Sequence, residues 1–327
     1  MNALIALSGL TCATVAILLA AIWRRRGWGD VAAGAEAFRK LQRAPVPAVG
    51  GLAIAATWGG LLVASPAARE ELGLLLGERA DSPVGLVALV AAALLALLGG
   101  VLDDVRPKGL GPLTKAALQA LAGAALALPV FFPDGFGAAV FLGSAAWMEA
   151  ALWAAGGLVA LNAINTFDNA DGASSAMAGC GLLVGAPILA GAPLGFLLPN
   201  LFVRRGSRAG RVEEDGPRDP LAYLGDGGSQ LLGLALLVVP GAWPALLVPA
   251  LDLARVAVLR VRKGSPPWRG DRRHLAHRLQ RAGLAPVLVV AILIGIALPV
   301  FLWPGFEGVL VTCSAFLLAW GTSPACD

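Results

Sequence analysis

Two uncharged runs constrain this chain more than anything else in it. Residues 2–23 and 83–102 each hold no charged side chain, and about 20 such residues are what an α-helix needs to cross the hydrocarbon core of a bilayer. Charged residues make up only 14% of the chain and hydrophobic ones 57%, whereas a soluble domain carries about 25% charged. Eleven segments read as candidate spans: about 2–23, 48–64, 83–102, 115–132, 148–165, 174–190, 192–203, 228–241, 243–260, 284–302 and 306–321. The expected fold is therefore all-α, a polytopic integral membrane protein with about 10–11 transmembrane helices in one domain over 1–327. Arg24 to Arg26 follow the first run instead of preceding it, which argues for a retained helix and against a cleaved leader.

Charge then sets an orientation. Alternating the connections puts 24–47, 103–114, 166–173, 204–227 and 261–283 on one side, together with every Lys and Arg except Arg69 and Arg79. The positive-inside rule makes that side cytoplasmic, with the N-terminus outside and the C-terminus inside. Residues 204–220 are polar, of mixed charge and rich in turn formers, and read as a flexible cytoplasmic insertion. Residues 261–283 read as a basic cytoplasmic loop. The basic residues thus have a membrane explanation, and a net charge of +4 indicates no nucleic-acid partner. Cys12, Cys180, Cys313 and Cys326 show no C-x-x-C spacing and read as packing residues.

Four polar stretches fall on the expected cytoplasmic side. The run at 83–102 ends in Asp103 and Asp104, two carboxylates at the helix end whose dipole favours them least. Lys108 and Lys115 follow, with Gln119 one turn beyond Lys115. In "LNAINTFDNADG", Asn162, Asn165, Asp168 and Asp171 recur every three residues, so a helix aligns them on one face, where they need a cavity or a ligand. In "YLGDGGSQLLG", glycines free the backbone around Asp226, and Ser229 opens the next span. Such amides suit phosphate, and an Asp among them suits a divalent cation bridging it to phosphate oxygens. In "KGSPPWRGDRRHLAHRLQRAG", the chain's two histidines, His274 and His277, stand among five arginines, a set that suits a diphosphate or a sugar. A zinc site is disfavoured there, since thiolate partners are missing.

In order, P-x-x-GG at 47–51, DD with K-x-x-x-Q, N-x-x-N-x-x-D-x-x-DG, GD-x-GS and the basic H-x-x-H loop closely resemble the polyprenyl-phosphate N-acetylhexosamine-1-phosphate transferases. "RRHLAHRL" is similar to the undecaprenyl-phosphate GlcNAc-1-phosphate branch. The phospho-MurNAc-pentapeptide branch usually carries three histidines followed by Glu, absent here. The resemblance implies transfer of N-acetylhexosamine-1-phosphate from a UDP-sugar to undecaprenyl phosphate, releasing UMP, with Mg²⁺ (or Mn²⁺), in the bacterial cytoplasmic membrane. The product starts a cell-envelope glycan. Oligomeric state is left open, with a homodimer as one option.

On this reading Asp226, Asp103 and Asp104 are the candidate metal ligands, and with Lys115 the candidate catalytic set. Lys108 is a phosphate contact. Asn165, Asp168, Asp171 and Asn200 line the nucleotide pocket, with Arg43 beside it and Tyr223 against uracil, and Asn162 and Ser229 are further substrate-binding residues. His274 and His277 hold the diphosphate or the sugar. The rival from another class is a transporter, which places its ionisable groups near the bilayer midplane and not at the ends of spans.

Overall fold

The structure, a computed structural model, describes residues 1–28, 46–76, 82–106, 108–132, 144–201, 203–205, 207–208, 211–212, 218–268 and 270–323. Arg43 lies outside the described residues. Fourteen helices are formed among those described: α1 (Asn2–Arg25), α2 (Gly50–Ala64), α3 (Pro66–Leu76), α4 (Pro83–Val105), α5 (Pro112–Ala125), α6 (Leu128–Phe131), α7 (Ser144–Phe167), α8 (Ala173–Gly185), α9 (Pro187–Leu201), α10 (Gly225–Val238), α11 (Pro244–Arg262), α12 (Leu275–Arg281), α13 (Pro286–Leu302) and α14 (Phe306–Thr322). Between α9 and α10 lie four short strands, β1 (Val203–Arg205), β2 (Ser207–Arg208), β3 (Arg211–Val212) and β4 (Arg218–Pro220). β1 pairs antiparallel with β4, Val203 opposite Pro220, and β2 pairs with β3.

The protein is an all-α polytopic membrane protein. Among the described residues, α1, α4 and α7 are long and apolar enough to cross a bilayer. The α2–α3 pair makes a fourth if its 105° bend is counted within one span, and α8, α9, α13 and α14 are shorter apolar helices. Lipid-facing and protein-facing surfaces separate by residue size. Leu86, Val90, Leu94 and Leu98 of α4, with Leu310, Leu317 and Leu318 of α14, are exposed apolar side chains that suit acyl chains. In contrast, α8 buries Ala173 to Gly179 almost continuously, the small-residue surface with which membrane helices approach one another.

Three helices were not expected as such. The candidate span 115–132 is broken between α5 and α6, where Pro129 cannot donate to the helical ladder. The stretch after α2 is helical as α3: Pro66 takes its first turn and the Ser65 hydroxyl accepts the amide of Ala68. Glu71 of α3 accepts from the amides of Ile188 and Leu189, which supplies a negative charge at the N-terminus of α9. The basic loop contains α12.

Glycines set the spacing at the end of the bundle that carries the polar residues. A Cβ on Gly100 of α4 would strike the Asp226–Gly227 peptide, and one on Gly51 of α2 would strike the Gly227–Gly228 peptide. These helices therefore pack backbone against backbone. The segment before α2 docks the same region: Tyr223 donates its amide to Pro47, and the amides of Gly50 and Gly51 reach Tyr223 and Leu224. The P-x-x-GG stretch is thus the strap that holds the start of α10.

Candidate active site

One cavity of about 1990 Å³ gathers the polar stretches. The C-terminal ends of α4 and α7 and the N-terminal ends of α5 and α10 form its base, and residues of the 270–281 segment form another wall. Asp103, Asp104, Lys108, Lys115, Asn162, Asn165, Asp168, Asp171, Asn200, Tyr223, Asp226, His274 and His277 all line it. Residues from distant parts of the chain therefore share one space.

The two adjacent carboxylates do different work. Asp104 accepts the amides of Asp226 at 3.0 Å and Gly227 at 3.2 Å, so it caps the N-terminus of α10. Gly225 makes this approach with φ +74°, and a Cβ there would lie 2.6 Å from the Asp104 carboxylate. Asp103 instead accepts the amide of Leu110 and the Lys115 ammonium, the latter at 3.0 Å. Lys115 also contacts Asp226 directly. One ammonium thus bridges Asp103 and Asp226, from α4 and α10. Two negative carboxylates at a helix end are tolerable because one faces a positive helix N-terminus and the other a lysine.

The third polar stretch supplies the opposite wall. Asn165 donates to the Ser229 hydroxyl at 2.9 Å, and that hydroxyl donates to the Asp226 carbonyl. Ser229 is fully buried behind the cavity lining, so it braces the first turn of α10. Asn200 accepts the amide of Gly172 and donates to the carbonyl of Ala222, tying the 168–172 turn to the chain leading into α10. Burial, reinforced by Asp226, Asp171 and Asp104, pushes Asp168 well above the ordinary carboxylate range. Burial and then Asp219 push Asp171 up to about 6.

Whether a hard cation fits can be judged from the donors. Among the described residues, no three His, Cys, Asp or Glu side chains form a cage for a metal ion. Mg²⁺ typically takes one or two protein carboxylates and completes its shell with water and phosphate oxygens. Asp103 and Asp226, which already turn toward one positive group, fit that requirement. The oxygens of Asp104 are engaged by backbone amides, which sets it apart from the other two.

The histidines are held by residues the sequence reading did not select. Asp252, Arg255 and Arg260 of α11, with Asp271 of the following loop, form a network around His274. Asp252 and Arg255 were available as a signal, since two ionisable residues three apart inside a candidate span are costly without a purpose. Burial is the main cause that lowers His277, to about 4, so its ring is neutral at pH 7. Its Nδ1 faces the side-chain Oε1 of Gln280 at 3.2 Å, which leaves Nε2 as the edge for a ligand hydroxyl or amide. Trp23, Trp28 and Trp268 also line the cavity, aromatic groups of the kind enriched at bilayer surfaces.

No protein-family model matches the chain. Two curated proteins match a stretch of it, both named undecaprenyl-phosphate alpha-N-acetylglucosaminyl 1-phosphate transferase. The protein from Haemophilus influenzae is 32% identical over 77 residues, and that from Pasteurella multocida 31% over 77 residues. Each match covers 19% of this chain and 21% of the relative. The likeness supports the transferase family that the sequence motifs resemble. The matched stretch spans about a fifth of the length of those relatives.

Proposed function

We propose that the protein transfers GlcNAc-1-phosphate, or a close N-acetylhexosamine-1-phosphate, from a UDP-sugar to undecaprenyl phosphate at the cytoplasmic membrane surface. The observation that carries this reading is the Lys115 bridge between Asp103 and Asp226, set in a large polar cavity at one end of a membrane bundle. A lipid-held phosphate and a soluble nucleotide need such a meeting place.

In the proposed reaction an oxygen of the lipid phosphate attacks the β-phosphorus of the UDP-sugar. The bond from that phosphorus to the bridging oxygen breaks, and UMP leaves with the electron pair. The lipid phosphomonoester, with a second pKa of about 6, is mostly dianionic at neutral pH, so removing a proton from it contributes little. Asp103 acts by orientation: its contacts with Leu110 and Lys115 hold the loop between α4 and α5. Lys115 neutralises phosphate charge as the anhydride is exchanged. Mg²⁺, held by Asp103 and Asp226, supplies neutralisation of the diphosphate when bound. Asn162, Asn165 and Tyr223 face the nucleotide, and His277, being neutral, accepts from a sugar hydroxyl or the N-acetyl amide.

The test offers the purified protein undecaprenyl phosphate, Mg²⁺ and a panel of UDP-sugars, and measures UMP. Release with UDP-GlcNAc or an epimer is expected. Turnover of only the MurNAc-pentapeptide donor reverses the choice of sugar, and no turnover of any donor removes the transferase reading.

A further inference from the structure

The sequence motifs leave Asp252 unassigned, yet it is a buried carboxylate beside the cavity with three hydrogen bonds to its two oxygens. It lies in α11, is 1% exposed, and uses both oxygens. One oxygen accepts from the Arg255 guanidinium at 2.7 Å and from the amide of Leu275, the first residue of α12, at 3.1 Å. The other meets Nδ1 of His274 at 2.7 Å. An ionised carboxylate at that distance can only accept, so Nδ1 is the donor of this hydrogen bond. On the far edge of the ring, Nε2 of His274 lies 3.4 Å from the Arg260 guanidinium, which can only donate. Both neighbours therefore require one tautomer, with the proton on Nδ1 and a bare Nε2.

We propose that Asp252 is a positioning residue for the cavity: it holds His274 as the Nδ1–H tautomer and pins the first turn of α12, so that His277 presents its free edge to the ligand. The inference rests on the transferase reading for its kinetic consequence, but not for the tautomer itself. The other charged groups around His274 leave the same pattern in place. Arg260 is paired with Asp271 through two hydrogen bonds. Arg273 pairs with Asp271, and its carbonyl accepts from Arg255 at 2.6 Å. The His277 ring stands edge-on to His274 with centroids 6.5 Å apart. α12 is two turns long, so an anchor at its first amide decides where His277 points. A carboxylate that both orients a functional histidine and selects its tautomer is a recurrent device.

Asp252→Asn is nearly isosteric and separates shape from tautomer. The Asn oxygen still accepts from Leu275, but its amide donates to Nδ1 and moves the ring proton to Nε2, against the Arg260 donor. The chain has two histidines, so ¹⁵N-histidine NMR of the full chain in nanodiscs at pH 7.5, with His277→Gln for assignment, reads the tautomer directly. The expected result is Nδ1–H with bare Nε2 for His274 in the wild type and in Asp252→Glu, and loss of that pattern in Asp252→Asn. UMP release should fall roughly 10- to 100-fold in Asp252→Asn, with Asp252→Glu recovering most of it. An Nε2–H tautomer in the wild type overturns the proposal without any variant. An unchanged tautomer in Asp252→Asn overturns it as well. A wild-type protein that releases no UMP but shows the expected tautomer removes the transferase reading and leaves the positioning of His274 standing.

Discussion

Replacing Asp104 by Ala separates its structural role from metal binding. The side chain accepts two backbone amides at the start of α10, at 3.0 and 3.2 Å, and losing such a cap costs about 0.5–2 kcal/mol. Asp104 is exposed toward the cavity, so water replaces part of what is lost, and about 1 kcal/mol is the expected net effect. For a chain somewhat longer than 150–250 residues, that is a fall in melting temperature of about 2–3 °C. Asp226→Asn keeps both amides capped and gives up only its contact with Lys115, so its melting should move less. Thermal unfolding of both variants in the same detergent, beside UMP release, reads the two effects separately. Asp104→Ala should lower both stability and turnover, because the first turn of α10 that carries Asp226 loosens. Its rate should not be restored by raising Mg²⁺. An Asp104→Ala protein that melts like the wild type and regains full rate at high Mg²⁺ would refute the capping role and make Asp104 a metal ligand.

The remaining expectations concern charge, titration and packing. Lys115→Met removes an ammonium in contact with both Asp103 and Asp226 and should lower UMP release by about 10²–10³-fold, the usual cost of one electrostatic stabiliser. Asp171, raised to about 6, binds its proton more tightly folded than unfolded, so stability falls as pH rises from about 4 to 6 and then levels. Asp171→Asn should therefore melt above the wild type at pH 7.5, by at most about 3 kcal/mol of stability, and match it near pH 4. Gly100→Ala places a methyl group against the Asp226–Gly227 peptide and should cost about 1–3 kcal/mol or more, seen as lower melting and lost turnover. Gly59→Ala, with open space around it, should lower neither.

The helical membrane architecture was legible because a bilayer demands long uncharged runs, and helices occupy the expected spans, with 115–132 divided between α5 and α6. The meeting of Asp103, Lys115 and Asp226 was legible as a motif but not as a geometry. That Asp104 serves the amides of α10 depends on a contact across 122 residues of sequence, and no spacing rule reports that. Ser229 and Asn200 read as substrate contacts from their motifs, but the contacts they make in the fold, Ser229 to the Asp226 carbonyl and Asn200 to Gly172 and Ala222, have no spacing signal in the sequence. Asp252 stood out as a carboxylate inside an apolar run, but its histidine partner lies 22 residues further on, and no spacing rule joins the two. The helix α3 was missed because its signals, Ser65 and Pro66, also occur in turns.

The most direct measurement is lipid product and UMP from UDP-GlcNAc and undecaprenyl phosphate, followed against Mg²⁺ for the wild type and Asp226→Asn. The account predicts equimolar UMP and undecaprenyl-diphospho-GlcNAc from the wild type, dependent on Mg²⁺, and almost none from Asp226→Asn at any Mg²⁺ concentration. Full turnover by Asp226→Asn would contradict it.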